Sequence, residues 1–397
     1  MPQITPYRKT IGIISTYPPR LCGLATFAAD LCTALNKELS PFENLIVIAM
    51  DDGRKDYAYS EHIHFKIRDK ELSDYYSAAD FLNTYCDIVI LQHEYNIFGG
   101  KYGSYIVELL KNLQIPIITT FHTIRLRPKK EAKQILVEIG KLSDKLIVMT
   151  NKGKEFLLEV YGVCEEKISI IPHGFHDVPF IEENSLYKEQ LKLDNRKIIL
   201  SFGLLSKWKG FEYVIDAMPR IIKEYKDTLY IILGKTHPNR IHKLFGEQYR
   251  NELQKKIKKL KLENHVRFYN QYVKLELLLK FLIAADVYII PYIIKDQICS
   301  GTLSYALGTG NAVISTPFYH AEEFLADGRG ILIPFKDSNA IAQAIIDLFS
   351  SDSVRNEMRK KAYRFTRSMT WKKVGCSYLN IIQQHLEHQR RNIKVMP

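Results

Sequence analysis

Short apolar runs rich in β-branched residues recur along the chain, separated by stretches in which apolar positions return every three or four residues. In the first half the runs are Ile11–Ser15, Asn44–Ile48, His62–Ile67, Asp87–Leu91, Ile115–Phe121, Lys145–Met149 and Ile168–Ile171. Their apolar positions are near-continuous and do not alternate, which predicts strands buried on both faces of a parallel sheet. Helical periodicity fills most of the intervals, as in Ala25–Lys37 and Lys129–Leu142. This half therefore reads as a doubly wound α/β domain.

A polar stretch, HGFHDVPFIEENSLYKEQLKLDNRK, has no strand pattern until Lys197, and a hinge is expected near 175–195. A second series follows at Ile198–Phe202, Leu229–Leu233, Val266–Tyr269, Val287–Ile290, Ala312–Ser315 and Gly330–Ile333, again with helices between. After Phe365 the chain is polar and helical, from Trp371 to about Gln389, with no strand of its own. The expected division is 1–178, 196–370, and a helix over 371–397 that returns to the first domain. Two such domains are expected to face each other across a cleft. Ligands of open α/β sheets bind at the carboxyl ends of the strands, so informative motifs should directly follow strands.

Composition narrows the class. The 397 residues are 46% hydrophobic and 25% charged, which excludes a disordered, collagenous or coiled-coil chain. A net charge of +12 favours anionic partners, but the basic residues lack the aromatic interleaving of a nucleic-acid surface, so no nucleic acid is expected. The first ten residues hold no apolar core for a signal peptide, and Lys280, Asp286 and Pro291 break the most apolar stretch, Leu277–Ile294. Six scattered cysteines without a C-x-x-C pair read as free thiols, and a cytoplasmic location is expected.

Three segments follow strands and carry candidate chemistry. In STYPPRLCGLATFAADL, Gly23 lies where a helix opens, so free amides there can meet an anion such as a diphosphate. The alternative is a loop glycine placed only for its torsion. In FGLLSKWKGFEYVIDAM a strand ends at Gly203 and Lys209 precedes a helix start, a point charge for a phosphate or a solvated surface lysine. In QICSGTLSYALGTGNAVIS, Ser300, Gly301 and Thr302 open a helix with small and hydroxylic residues, a ligand cradle or an ordinary cap. Neither a dinucleotide fingerprint nor a Walker loop is present.

With these segments in view, the sequence resembles glycosyltransferase family 4, the retaining nucleotide-sugar enzymes of the two-Rossmann GT-B architecture, over nearly its whole length. FGLLSKWKG matches the family's G-R-L-x-x-x-K-G, IIPHGF its I-P-x-G hinge strand, TTFHT its strand-terminal His, and GTGNAVIS its C-G-x-P-V-I. YPPRLCGLATF, LQHEYNIFGG, GKTHP with GEQYR, and QICSGTLSYALGTG are similar to a mannosyltransferase branch. The resemblance implies an N-terminal acceptor domain, a C-terminal nucleotide-sugar domain and hexose transfer, with GDP-mannose the favoured donor and no cofactor. It implies a glycan, lipid-linked or small-molecule acceptor. His122 would contact the transferred sugar and Lys209 the donor phosphates. Gly23 and Gly203 would lie beside the donor, and Cys299, Ser300, Gly301 and Thr302 would cradle sugar and diphosphate. Tyr272 falls where the family holds the base. The chain departs from the pattern at Leu204, where the family has Arg, and at Gln297 and Tyr305, where it has a Glu pair. Lys207 could stand in for the missing Arg.

QHEYNIFGG also follows a strand, so Glu94 is either an acceptor-site acid or a cap of its own turn. The pairs His62/His64, His173/His176 and His385/His388 lack companion ligands, and no D-x-D occurs, so no metal site is expected. KKIKKLKLENH and HQRRNIK read as solvated helix faces or as contacts to anionic lipid at the inner face of a membrane. Besides transfer, two other classes fit the chain. One is phosphorolysis or epimerisation on the same fold, disfavoured by the lack of a pyridoxal-phosphate lysine motif. The other is a non-catalytic sugar- or membrane-binding partner subunit, favoured by the three departures.

Overall fold

The near-continuous apolar runs build two parallel sheets. The computed structural model describes residues 9–40, 43–53, 57–60, 62–236 and 246–394, with side chains through 387. The chain forms two compact units, Met1–Gly174 with Trp371–Pro397, and Phe175–Thr370. Residues 175–178, assigned by sequence to the first domain, thus belong to the second unit. Within the polar stretch the structure adds a short helix, Ser185–Gln190, which lacks the apolar periodicity that would announce it.

In the first unit the strands are β1 (Lys9–Ser15), β2 (Glu43–Asp51), β3 (Ile63–Arg68), β4 (Ile88–His93), β5 (Ile117–Phe121), β6 (Lys145–Val148) and β7 (Ile168–Ile170). Their order is β3-β2-β1-β4-β5-β6-β7, and every pairing is parallel. The chain reverses its direction of winding between β1 and β4, which makes the space beyond that pair the topological switch point. Not every strand is buried on both faces as expected. Exposure alternates along β3, and Ile170 of β7 is exposed; both strands lie at the edges of the sheet, each with a neighbouring strand on one side only.

The first helix, Gly23–Glu38, buries Ala25, Phe27, Ala28, Leu31 and Leu35 and is capped by Cys22 Sγ, which accepts from Ala25 N–H. The C-terminal helix, Trp371–Lys394, packs on it. A Cβ on Gly375 would come within 3.1 Å of Ala34 Cβ, so glycine there lets the two helices approach. Tyr378 of the same helix exchanges a 2.8 Å hydrogen bond with Thr120 at the end of β5.

The second unit contains β8 (Lys197–Phe202), β9 (Thr228–Leu233), β10 (Val266–Tyr269), β11 (Val287–Ile290), β12 (Val313–Ser315) and β13 (Ile331–Leu332). Their order is β10-β9-β8-β11-β12-β13, again all parallel, with the switch point between β8 and β11. Helices Phe211–Glu224 and Ser338–Ser350 pack together over one face of this sheet, around Val214, Met218, Ile341 and Ile345. All six cysteines are free thiols, and among the described residues no helix is long and apolar enough to cross a membrane.

Candidate functional site

The polar residues of the second unit gather at its switch point. Beyond β8 the chain turns through Gly203, whose φ of +131° only glycine adopts comfortably, into a single helical turn at Lys207–Lys209. Gly210 closes that turn at φ +67°, and a Cβ there would lie 2.1 Å from Pro291 O. Absence of that Cβ lets the turn seat directly on the segment after β11. Lys209 is held there at 7% exposure, so it is not the solvated surface lysine that a position before a helix suggests. Its Nζ donates to Tyr292 Oη and lies 4.3 Å from the Trp208 ring centroid and 4.0 Å from that of Tyr292. Among the described residues no carboxylate pairs with it. A buried ammonium without a counter-charge is costly, and it marks a place for an anion.

The hydroxyls beside it form a chain. Tyr292 Oη is 3.1 Å from Thr302 Oγ1, which is 3.1 Å from Ser300 Oγ. Burial alone would raise the Tyr292 phenol, but the Lys209 charge and the hydrogen bonds with Lys209, Thr302 and Ser300 hold it below its ordinary value. Ser300 caps the helix Gly301–Gly308, its Oγ accepting from Leu303 N–H at 3.4 Å. Its own N–H is taken by His320 Nδ1 at 2.8 Å. The expected backbone cradle is therefore narrower than Cys299–Thr302, because the Ser300 amide is spent inside the unit. The Gly301 and Thr302 amides, in the first turn, have no acceptor within their helix. A Cβ built on Gly203 would lie 3.5 Å from Thr302 Cγ2 and 3.8 Å from Lys209 Nζ, so lysine and helix start converge on one open point.

The remaining expected residues of this unit lie around that point or away from it. Gln297, half-buried, turns its Nε2 onto Cys299 O. Cys299 is buried, as is Tyr305, whose ring lies 5.9 Å from that of His176 and 6.3 Å from that of Phe202. Tyr272 stands apart, 41% exposed beyond β10, two strands from β8. Lys207 does not fill the place of the family's Arg: its exposed ammonium pairs with Glu252 at 3.1 Å and lowers the pKa of that carboxyl. A guanidinium does sit at the end of β9. Arg250, 4% exposed, donates to Glu247 Oε2 at 2.7 Å and to Gly234 O at 3.3 Å. Of GKTHP, only Gly234–Thr236 are described; His237 and Pro238 lie outside the described residues.

The first unit carries a different set at the corresponding edge. Gly23 is exposed at the start of its helix, its φ is not left-handed, and a Cβ there would meet nothing within 4 Å. Neither torsion nor packing requires glycine, so the torsion-only alternative does not hold. Two adjacent strands, paired at His93↔Phe121, deliver Glu94 and His122 side by side. Glu94 Oε2 accepts from Thr123 Oγ1 at 2.6 Å and Oε1 from Tyr95 N–H at 3.0 Å, so it does cap its own turn. Burial, opposed by those bonds and by Arg125, raises its pKa. His122 Nε2 bonds Gln92 Oε1 at 2.8 Å. Because Gln92 Nε2 points to Thr120, its oxygen faces the ring, and the imidazole proton sits on Nε2. Burial, then the neighbouring His173 and His93, lower His122 to about 3. Phe27 presses edge-on to His122 and His173, at 4.7 and 5.0 Å.

Sequence reasoning missed Tyr292, His320, Gln92 and His93. Tyr292 had a readable signal, a polar aromatic directly after a buried strand. His320 had none, since it reaches Ser300 from 20 residues away. Of the histidine pairs, His64 Nδ1 bonds His62 O and His385 Nδ1 bonds Ile381 O, while the His388 side chain lies outside the described residues. Among the described residues no three His, Cys, Asp or Glu side chains gather as a metal site.

Two doubly wound parallel units, each with polar residues at its switch point, define a protein of the GT-B class. Two family profiles match in tandem: Glycosyltransferase Family 4 over residues 22–177 and Glycosyl transferases group 1 over 183–365. The chain belongs to glycosyltransferase family 4. An uncharacterized glycosyltransferase of Methanocaldococcus jannaschii is 29% identical over 255 residues, covering 62% of this chain and 61% of that protein. A phosphatidyl-myo-inositol mannosyltransferase of Mycolicibacterium smegmatis is 23% identical over 281 residues, covering 68% of this chain and 65% of that protein. The chain thus spans less than two thirds of the length of these curated relatives. Among solved structures, HepE of Anabaena in complex with UDP and glucose shares the fold at a TM-score of 0.75 and 16% identity, over 95% of this chain and 100% of that one.

Proposed function

We propose that the chain is a metal-independent, retaining hexosyltransferase that moves mannose from GDP-mannose to a glycan, lipid-linked or small-molecule acceptor. The observation that carries this reading is Lys209, a buried ammonium with no carboxylate partner among the described residues, which with the Thr302 side chain at a helix start flanks Gly203. A donor diphosphate supplies the missing charge. The name of the mycobacterial relative, a mannosyltransferase, supports mannose, whereas the ligands of HepE support a UDP-sugar as the other donor. In the first unit, neutral His122 and the Glu94 carboxyl suit sugar hydroxyls.

The chemistry needs no protein nucleophile. An acceptor hydroxyl oxygen bonds to the sugar C1 on the face that the diphosphate leaves, as the C1–O bond to phosphate breaks. Its electron pair stays on the phosphate oxygen, which takes the acceptor proton. Negative charge thereby grows beside Lys209 and the start of the helix Gly301–Gly308, and stabilisation there lowers the barrier.

The test incubates the protein with GDP-mannose, UDP-glucose and other nucleotide sugars, with and without excess chelator, and follows sugar release and transfer. Turnover that survives chelation, with product of retained anomeric configuration, is expected. Complete loss that Mn²⁺ restores would overturn the metal-independent mechanism. A second reading, a sugar-binding subunit without turnover, draws on Gln297 and Tyr305 at the family's Glu positions. Thermal stabilisation by a nucleotide sugar without any turnover would favour it.

A further inference from the structure

Lys209 and the start of the helix Gly301–Gly308 come from segments after two different strands, and one side chain joins them. Tyr292 directly follows Pro291 beyond β11 and is buried, its ring stacked on Phe318 at 5.0 Å and edge-on to Trp208 at 5.2 Å. Its hydroxyl accepts a hydrogen bond from Lys209 Nζ and lies 3.1 Å from Thr302 Oγ1. An ammonium can only donate, so Tyr292 Oη accepts from it. The phenolic proton is then free to turn to Thr302, and the Thr302 proton to Ser300 Oγ, 3.1 Å further on. Each group is oriented by the one before it, and hydrogen bonds in such a series strengthen one another.

We propose that Tyr292 is a positioning residue for the anion site: its hydroxyl fixes the Lys209 ammonium between two rings and ties it to the hydroxyls at the neighbouring helix start. The proposal rests on the reading of that site as the diphosphate site. Lys209 is long and flexible, and an ammonium holds no fixed geometry by itself. Tyr292 supplies that geometry, so one ammonium proton stays on the phenol while the other two face the open point beside Gly203. No carboxylate could do this without neutralising the charge that the anion needs. A phenol orients the cation and leaves its charge available.

Tyr292→Phe isolates the hydroxyl, because the ring, its stacking and its contact with the ammonium all remain. Affinity is measured by calorimetric titration with GDP, UDP, guanosine and uridine, for the wild type, Tyr292→Phe, Lys209→Ala and the double variant, each with a melting curve. Loss of a hydrogen bond to a charged group predicts that Tyr292→Phe binds the diphosphate about 10- to 100-fold more weakly, with nucleoside affinity unchanged. In the Lys209→Ala background the same substitution should change affinity less than about twofold, since the phenol acts through the lysine. Wild-type affinity in Tyr292→Phe, or an equal loss in both backgrounds, overturns the proposal, and the melting curve separates the second case from misfolding. Should Lys209→Ala bind diphosphates as the wild type does, or the wild type bind them no better than nucleosides, the diphosphate reading fails first and takes this one with it.

Discussion

The two sheets share a topology and differ in what stands at their switch points. Beyond β8 and β11 stand a buried cation with no carboxylate partner among the described residues, a phenol, two aliphatic hydroxyls and the amides that open the helix Gly301–Gly308. At the end of β4, beside the switch point, and of the adjacent β5 stand a carboxyl whose pKa burial raises and two imidazoles, His93 and His122, that burial keeps neutral. Neither set follows from the fold, which only delivers a short loop to that edge twice. The residues in the loop decide the ligand. A charge-rich edge with too few partners suits a diphosphate, and a nearly neutral edge suits the hydroxyls of a sugar or acceptor.

The largest effect is expected on the charged edge. Lys209→Ala removes stabilisation that grows as the diphosphate leaves, and by comparison with loss of one oxyanion donor the turnover should fall ~10²–10³-fold. The melting temperature should stay level or rise, because the substitution removes a buried cation that lacks a partner. A large drop in both rate and melting temperature would mean that Lys209 acts in folding, and the contrast between the two edges would lose its basis.

A pair of glycines sharpens the same comparison. Gly210→Ala forces a left-handed torsion and drives a Cβ to 2.1 Å from Pro291 O. The torsion alone costs about 1–3 kcal/mol and the clash adds to it, so melting should drop markedly. Gly23→Ala meets nothing within 4 Å, and melting should not change, while any ligand that approaches those amides is blocked. Equal melting losses in the two variants would contradict the assignment of one glycine to packing and the other to access.

Acid distinguishes the neutral edge. His93 is fully buried among Tyr95, Phe98 and Phe121, neither ring nitrogen has a hydrogen-bond partner among the described residues, and burial lowers it to about 3. Between its ordinary value of 6.5 and about 3 the unfolded chain binds a proton that the folded chain refuses. Stability from this group is therefore whole above 6.5 and is lost as pH falls through that window, at ~1.4 kcal/mol per pH unit. His122 behaves alike. The melting temperature should fall between pH 7 and pH 5, and His93→Phe should shrink that fall. An identical fall in both proteins would show that His93 does not titrate as its surroundings require.

The smallest effect belongs to Lys207. Its exposed pair with Glu252 is worth at most about 1 kcal/mol, so Lys207→Ala should leave melting and turnover nearly unchanged. A rate loss as deep as that of Lys209→Ala would reverse the roles of the two lysines.

Much of this was legible in the sequence. Strands of both sheets lie where apolar runs predicted them, because parallel sheets leave a period-free signal that turns rarely imitate. The edge strand β3 lies within one residue of its predicted place, but its burial on both faces was misread, since half of its positions face solvent. Gly23, His122, Lys209 and Ser300–Thr302 were singled out because each lies on the segment that follows a strand. What the sequence could not supply was strand order: only the pairing of β8 with β11 brings Lys209 to Thr302, and only folding turns Lys207 away and buries its neighbour. His320 and Gln92 belong to the same category. They act on residues far along the chain, and nothing local marks them.

The central claim is that Lys209 and the amides of Gly301 and Thr302 receive the donor's diphosphate. A crystal structure with bound GDP-mannose or UDP-glucose tests it most directly. A phosphate oxygen should lie within hydrogen-bond distance of Lys209 Nζ and of at least one of the two amides, with Tyr292 still in contact with the lysine. A nucleotide bound elsewhere, with Lys209 Nζ touching only Tyr292 and the two rings, would contradict the account.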